Sequence, residues 1–313
     1  MRGAVLLTAA VLGTVGLAVL SLFVGVYDVT GGPRGGEMFL ITRVPRTVAL
    51  VLAGAATAVC GLVMQMLTQN RFVEPGTSGT TEWAGLGLIT ATVFLPTPSL
   101  WVRMAAAIAA SVVGTLIFFA FLRTVALRSS LIVPVVGLML GAVVGSVSTF
   151  VALTTNSLQN LGVWFAGSFT GVVRGRYEIL WIVLLVTVAV FILADRLTVA
   201  GLGEDVATGL GLNHRRVVLL GVGMVSVVVG VVTVVVGNLP FIGLVVPNLV
   251  SLARGDNLRT NLPWVCVAGV ALLVTCDILG RTLIAPFEVP VSLILGIVGA
   301  TVFVVLLVRS RRG

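Results

Sequence analysis

Long apolar runs separated by short polar segments make up most of the chain. Most of these runs approach the ~20 residues that an α-helix needs to cross ~30 Å of hydrocarbon. The shortest run, 241–253, contains Pro247. The pattern predicts an all-α integral membrane protein of about ten transmembrane helices. The runs cover residues 3–26, 47–67, 76–95, 101–122, 131–153, 179–194, 217–237, 241–253, 262–280 and 291–308.

The distribution of arginine predicts the orientation of these helices. With ten crossings and a cytoplasmic N-terminus, twelve of the 19 arginines lie on the cytoplasmic side and seven on the external side. This agrees with the enrichment of arginine on the cytoplasmic side of membrane proteins. Omitting 241–253 as a crossing would place Arg309, Arg311 and Arg312 outside. We therefore expect ten crossings with both termini in the cytoplasm.

Composition excludes several classes of protein. The 313 residues are 58% hydrophobic and 10% charged, with a mean hydropathy of +1.19, so the chain cannot cover the surface of a soluble domain with polar groups. Residues 1–313 are expected to form a single membrane domain. The net charge of +8 does not indicate nucleic-acid binding, because the arginines form short clusters between apolar runs. The sequence contains no lysine, and so no phosphate-binding P-loop.

Three connecting segments have distinct characters. Residues 27–46 are expected to form a polar external loop, and residues 154–177 a longer one with a short interfacial helix beside Trp164 and Tyr177. Residues 196–216 form the longest cytoplasmic connection. Within it, 204–212 has acidic residues at its start and glycines near its end, which predicts a short helix.

Four motifs occur in an order and spacing that resemble the FecCD-type permeases, the membrane subunits of iron–siderophore, haem and cobalamin ABC importers. They are Arg43-Val-Pro-Arg46 with the following 54–70 segment, Ala207-Thr-Gly-Leu-Gly-Leu-Asn213, Gly237-Asn-Leu-Pro-Phe-Ile-Gly243 with Pro247, and Asp277-Ile-Leu-Gly-Arg281 with Glu288-Val-Pro290. The sequence departs from the usual family pattern at Asn70-Arg71, Asn248 and Ser251. Residues 74–85 resemble members associated with ferric siderophores.

The resemblance implies a type II ABC importer permease in the bacterial cytoplasmic membrane. It implies a second permease subunit, identical or paralogous, two ABC ATPase subunits and an extracellular or periplasmic binding protein that delivers a ferric siderophore. ATP and Mg²⁺ would bind the ATPase partners, and this chain would bind no cofactor. His214 stands apart from any cluster of metal-ligating residues, which fits a chelate that brings its own donor atoms.

The resemblance also assigns roles to particular residues. Arg43, Arg46 and Arg281 would receive acidic residues of the binding protein, although Arg46 capping its helix and Arg281 pairing with Asp277 are simpler structural alternatives. The ATPase would contact Glu204, Asp205, Ala207, Leu210, Gly211 and Leu212. The cytoplasmic gate would include Asn70, Phe72, Ser129 and Ser130, with a helix cap as the alternative for Asn70.

Four residues are candidates for the wall of the transport pathway. Glu82 lies inside an apolar run, where a carboxylate faces protein or water. Gly137, Gly141 and Gly145 share one helix face, which would either give a bulky chelate room or allow close helix packing. A buried polar contact is the alternative role for Glu82.

Two other function classes fit the sequence less well. A secondary transporter driven by an ion gradient would need buried ionisable relays and inverted repeats of broken helices, and neither pattern is present in the sequence. A membrane-embedded enzyme would need clustered catalytic side chains. Transport of haem or cobalamin instead of a siderophore remains an alternative within the same family.

Overall fold

The chain forms a bundle of α-helices in a computed structural model that describes residues 2–25, 35–124 and 132–310. Within these ranges the β-structure is limited to one isolated bridge between Ile284 and Phe287. In chain order, the helices are α1 (Arg2–Phe23), α2 (Gly35–Met38), α3 (Val44–Leu67), α4 (Thr80–Phe94), α5 (Leu100–Thr124), α6 (Ile132–Thr154), α7 (Leu158–Phe165), α8 (Trp181–Ala200), α9 (Glu204–Gly209), α10 (His214–Val235), α11 (Ile242–Arg254), α12 (Leu258–Thr282) and α13 (Val291–Ser310).

Eight helical segments in the described part of the chain are long and apolar enough to cross a membrane. This confirms the all-α membrane architecture. The two remaining apolar runs also form helices, but α4 has 15 residues and α11 has 13. By length alone, α4 and α11 are too short to be identified as membrane-spanning helices. The total of ten transmembrane helices therefore stays a prediction.

The segment before α3 differs from the expected loop. Helical structure begins at Gly35 and continues through a π-helical turn, Phe39–Arg43, directly into α3. Pro45 lies in the first turn of α3, directly after the π-helical turn. The prediction of a polar loop over 27–46 was thus wrong for residues 35–46, which are helical, and its residues 27–34 lie outside the described residues.

Helix α3 is the central element of the bundle. It packs against α8, α10, α11 and α12, and it approaches two of these helices through facing glycines. A Cβ atom added to Gly61 would lie 2.0 Å from the carbonyl oxygen of Gly243, and one added to Gly54 would lie 2.9 Å from that of Gly269. Small residues let helix backbones come this close in a membrane, so α11 and α12 are positioned directly against α3.

Two sets of ion pairs and hydrogen bonds identify the two ends of the bundle. At one end, Arg46 of α3 contacts Asp277 of α12. At the other, Gln69 after α3 donates to the carbonyl of Gly201 after α8, and Arg259 of α12 pairs with Asp195 of α8. Helix α9, which carries the exposed Leu210 after it, lies at this second end. We refer to these as the Arg46 end and the Leu210 end.

The glycine face of α6 packs against the segment that precedes α4. A Cβ atom at Gly137 would lie 2.1 Å from the Thr77 carbonyl oxygen, and one at Gly141 would lie 3.2 Å from the Gly79 Cα. A Cβ atom at Gly145 would meet nothing within 4 Å. Close packing therefore accounts for Gly137 and Gly141, whereas Gly145 borders open space.

This difference gives a matched pair of variants on one helix. Gly137→Ala should push α6 away from residues 77–79 and lower the free energy of unfolding by about 1–3 kcal/mol, the usual cost of overpacking. Gly145→Ala should leave stability unchanged or slightly raise it, because alanine favours helix more than glycine does. Thermal unfolding of the purified chain in detergent measures both. Equal melting temperatures for the two variants would contradict this packing.

Candidate functional site

Asp277 is the centre of an ion-pair cluster at the Arg46 end. Its Oδ1 accepts hydrogen bonds from Arg46 Nε at 3.2 Å and Nη2 at 2.8 Å. Its Oδ2 lies 2.6 Å from Nη2 of Arg281, one helical turn away. The Asp277 side chain is fully buried, so two arginines share one carboxylate away from water. The predicted pairing of Arg281 with Asp277 is confirmed.

Glu288 extends this cluster to two connecting segments. Its carboxylate accepts from Arg46 Nη1 at 3.0 and 2.9 Å, and its Oε2 also accepts from the Thr170 hydroxyl at 2.6 Å. Burial acts to raise the pKa of Glu288, but the Thr170 hydrogen bond and the Arg46 guanidinium outweigh it and hold the pKa below its ordinary value. Glu288 therefore joins α3 to the segments that follow α7 and α12.

Carbonyl groups at the end of α1 complete the cluster. Arg43 Nη1 donates to Val24 O at 2.6 Å. Arg281 Nη1 donates to Ser21 O and Val24 O at 2.9 and 2.8 Å, and its Nη2 donates to the Ser21 hydroxyl at 2.6 Å. Cations are favourable beside the carbonyls that end a helix. These bonds fix the end of α1 on α12.

The three arginines proposed for docking are therefore brought together, but they are buried. Arg43 and Arg46 are 8% exposed and Arg281 is 3% exposed, and each donates to acceptors of its own chain. This geometry agrees with the pairing offered as the alternative for Arg281, whereas Arg46 pairs with Asp277 and Glu288 instead of capping its own helix. Their docking role stays a prediction. Glu288 was recognised only as part of a motif, and its pairing with Arg46 could not be read from residues 242 positions apart.

Glu74 is a second buried carboxylate, for which the sequence predicted no role. Its Oε1 accepts from the backbone N–H of Phe241 at 2.9 Å, just before α11 begins. Nearby, Asn248 Nδ2 of α11 donates to Arg71 O at 2.7 Å. The segment between α3 and α4 is thus attached to α11 at two points. The unpaired N–H groups at a helix start favour such a carboxylate.

Glu82 lies in the first turn of α4 and faces α6. A Cβ atom at Gly141 would lie 3.3 Å from Glu82 Oε2, an oxygen that is buried and has no hydrogen-bond partner among the described residues. The buried polar contact offered as its alternative role is therefore not seen for this oxygen. The assignment of Glu82, Gly137, Gly141 and Gly145 to a transport pathway stays a prediction, because close packing of two of the glycines does not exclude it.

The proposed gate residues Asn70 and Phe72 are packed inside the chain. Asn70 Oδ1 accepts from the backbone N–H of Phe72 at 2.9 Å, which stabilises the turn after α3 rather than the helix end itself. The Phe72 ring meets Phe303 of α13 edge-on, with centroids 5.9 Å apart. Ser129 and Ser130 lie outside the described residues. The gate stays a prediction.

The proposed ATPase-contacting segment contains the predicted short helix, α9. Leu210 is 67% exposed, and Gly211 follows it with a φ of +79°, which suits glycine. Ala207, in contrast, is fully buried, and α9 packs on α8 and α10. We expected Ala207 to allow close approach of a partner. Its side chain is instead buried where α9 packs on the bundle, and its part in the ATPase contact stays a prediction.

The acidic and final residues of this segment also have defined places. Glu204 and Asp205 lie in the first turn of α9, where carboxylates are favourable. Glu204 lies 3.9 Å from Arg123 at the end of α5. Leu212 is partly buried against the apolar core. Leu210 is therefore the exposed apolar member of the predicted contact, beside the exposed Glu204, Asp205 and Gly211. No group of three potential metal ligands occurs in the described ranges.

Comparison with known proteins identifies the family. The sequence profile of the FecCD transport family matches residues 4–309. The chain belongs to this family. It is 58% identical to the petrobactin import system permease protein FatD of Bacillus anthracis, over 97% of this chain and 91% of that protein. It is 38% identical to the ferric-anguibactin transport system permease protein FatD of Vibrio anguillarum, over 95% of this chain and 96% of the relative.

A solved structure has the same fold as this FecCD member. A metal-chelate type ABC transporter in an inward-facing conformation superposes with a TM-score of 0.83 at 24% identity, covering 97% of this chain and 99% of that one. The chain is the membrane-spanning permease subunit of an ABC importer. It is not an enzyme, since ATP hydrolysis in such importers belongs to separate subunits.

The burial of Asp277 in this permease generates a stability prediction. Asp277→Asn would leave two buried guanidinium groups without their shared charge, and removing one partner of a buried ion pair typically costs about 3–5 kcal/mol. We expect a large drop in melting temperature in detergent. Asp195→Asn, which breaks the exposed pair with Arg259, is the matched control and should change it little. Similar small changes in both variants would show that the cluster is not a main source of stability.

Proposed function

We propose that this permease carries a ferric siderophore of the petrobactin type into the bacterial cell. The observation that supports this is the 58% identity, over almost the whole chain, to a petrobactin import permease. Identity to a vitamin B12 import permease is lower, at 35%. Haem or cobalamin is therefore the less favoured cargo, and the comparisons give no support to an ion-gradient-driven transporter.

The proposed assembly contains two permease subunits, two ABC ATPase subunits and one binding protein in the bacterial cytoplasmic membrane. The Leu210 end would face the cytoplasm and the Arg46 end the outside, with ten crossings and both termini cytoplasmic. Two features support this orientation: the excess of arginine on the side assigned to the cytoplasm, and helical structure in each of the ten apolar runs. ATP binding and hydrolysis would then bias the bundle between inward- and outward-open states.

Transport by the reconstituted importer tests this function. Proteoliposomes that contain both permeases and the ATPases, supplied with the binding protein, should accumulate iron-55 presented as ferric petrobactin only when ATP is inside. Vitamin B12 should not accumulate under the same conditions. Uptake that follows a proton or sodium gradient instead of ATP would refute the proposal. The purified permease alone should hydrolyse no ATP.

Leu210 provides a test of ATPase coupling. An exposed leucine beside a partly buried helix is suited to insert into a groove of a partner, where a few anchors supply most of the binding energy. Leu210→Asp should release the ATPase or abolish uptake while leaving the melting temperature unchanged. Leu283→Asp, an equally exposed leucine at the Arg46 end, is the matched control and should keep the ATPase bound. Normal ATPase binding and uptake in Leu210→Asp would contradict the assignment.

Arg43 provides the sharpest test of docking by the binding protein. Arg46 is the anchor of the buried cluster, so its replacement would confuse docking with folding, whereas the hydrogen bond from Arg43 Nη1 goes to a backbone carbonyl, Val24 O at the end of α1. If Arg43 receives a carboxylate of the binding protein, Arg43→Gln should weaken that complex about tenfold, the loss of one charge-assisted hydrogen bond. Binding is measured by surface plasmon resonance at low and high salt.

The control for Arg43 is Arg215→Gln, an exposed arginine at the Leu210 end, which should leave binding-protein affinity unchanged. A carboxylate-to-arginine change on the binding protein combined with Arg43→Glu should restore part of the affinity. Equal affinities for the wild type and Arg43→Gln at both salt concentrations would leave only the structural role for this residue.

A further inference from the structure

A cavity of about 550 Å³ opens at the Arg46 end, beside the Asp277 cluster, with which it shares Thr170. It lies between the start of α5, the end of α7 and the end of α10. Its polar lining includes Arg103, Trp164, Ser168, Thr170 and Arg176. A volume of this size is typical of sites for small molecules. The cavity is therefore large enough to receive a substantial part of an organic chelate.

Two arginines supply the positive charge of this cavity. Unlike Arg43, Arg46 and Arg281, the guanidinium groups of Arg103 and Arg176 have no hydrogen-bond or ion-pair partner among the described residues. The Nε of Arg103 is buried as well. A buried donor without an acceptor is costly, and arginine is disfavoured on the side proposed to be external. Packing alone does not account for these two arginines.

No acidic side chain in the described lining offsets the positive charge of Arg103 and Arg176. Two carboxylates reach lining residues from outside: Glu288 accepts from Thr170 and is paired with Arg46, and Glu178 accepts from the backbone N–H of Gly175 at 2.8 Å. Both carboxylates are thus already engaged, so an anion entering the cavity would meet guanidinium and hydroxyl donors.

One wall of the cavity is held firmly by backbone contacts. The Ser168 N–H donates to Val236 O at 2.9 Å, and the Ser292 N–H donates to Gly167 O at 3.2 Å. Gly167 has a φ of +46°, and a Cβ atom there would lie 2.0 Å from Asn238 O. Residues 167–170 are thereby fixed to α10 and α13. A wall that is already ordered reduces the entropy cost of binding.

We propose that this cavity binds the iron chelate itself, through the anionic oxygen atoms that hold the iron, as the chelate enters the permease. Fe³⁺ is bound by charged oxygen donors, and these oxygens remain acceptors at the surface of the complex. The planar guanidinium fork suits paired oxygens better than any other side chain. Trp164 adds an apolar aromatic surface for the organic part of the chelate. This inference rests on the proposed siderophore cargo.

Direct binding to the assembled permease tests the proposal without the binding protein. Permease–ATPase complexes in nanodiscs of phosphatidylcholine would be equilibrated with iron-55 petrobactin, and bound iron measured by dialysis. Arg103→Gln should raise the Kd about tenfold, the loss of one charge-assisted hydrogen bond, and the double variant with Arg176→Gln should raise it further. Arg103→Lys keeps the charge and should bind more tightly than Arg103→Gln. Arg174→Gln, an exposed neighbour that does not line the cavity, should match the wild type.

Three results separate the possibilities. If the wild-type importer transports ferric petrobactin but the double variant binds it normally, the cavity assignment is wrong while the proposed function stands. If the wild type does not transport ferric petrobactin, the proposed function itself fails. If mass spectrometry of the detergent-purified complexes shows that the double variant loses co-purified phosphatidylglycerol, and the variant keeps its chelate affinity, the cavity is a lipid site and the inference is overturned.

Should the double variant fail to assemble with the ATPase, Arg176→Gln alone retains the test. Arg176 is on an exposed segment, so its replacement should not affect assembly. We expect a several-fold rise in Kd for ferric petrobactin, with an unchanged melting temperature. An unchanged Kd for this single variant would also count against the cavity.

Discussion

The backbone of α3 touches the backbones of two neighbouring helices, and the rest of the bundle depends on that close approach. Glycine at Gly54 and Gly61 meets glycine at Gly269 and Gly243, so α12 and α11 lie at distances that any larger residue would forbid. Membrane helices gain little from the hydrophobic effect against each other and rely on such fit. The position of Asp277 beside Arg46, and of Phe241 beside Glu74, follows from these two crossings.

The sequence predicted the apolar helices well because each is a continuous run of apolar residues. Membrane helices also satisfy their own backbone hydrogen bonds, so their formation does not depend on neighbouring segments. It failed at residues 35–43, where polar side chains suggested a loop although the backbone continued as helix. The short helix α7 was predicted from its amphipathic pattern, and α9 from the acidic residues at its start. Both signals are local in the sequence and do not depend on tertiary contacts.

The candidate sites were harder to predict from the sequence than the helices, because their residues come into contact only after folding. Arg281 and Asp277 are four apart and could be paired from spacing alone, whereas Arg46 and Glu288 come from distant segments. Ala207 has the same small side chain whether it faces a partner or its own chain, and only the packing of α9 on α8 and α10 distinguishes the two. Arg103 and Arg176 are unremarkable in the sequence, and their shared cavity is visible only in three dimensions.

The attachment of Glu74 to the start of α11 has a mechanical consequence. Residues 77–79 press against the glycines of α6, and the same segment leads directly into α4. As long as the Glu74 and Asn248 hydrogen bonds hold, α11 cannot shift along its axis without dragging this segment, and the segment cannot move without displacing α6. The short, thirteen-residue α11 is therefore mechanically coupled to α6, which it does not contact extensively. The buried carboxylate of Glu74 transmits this coupling.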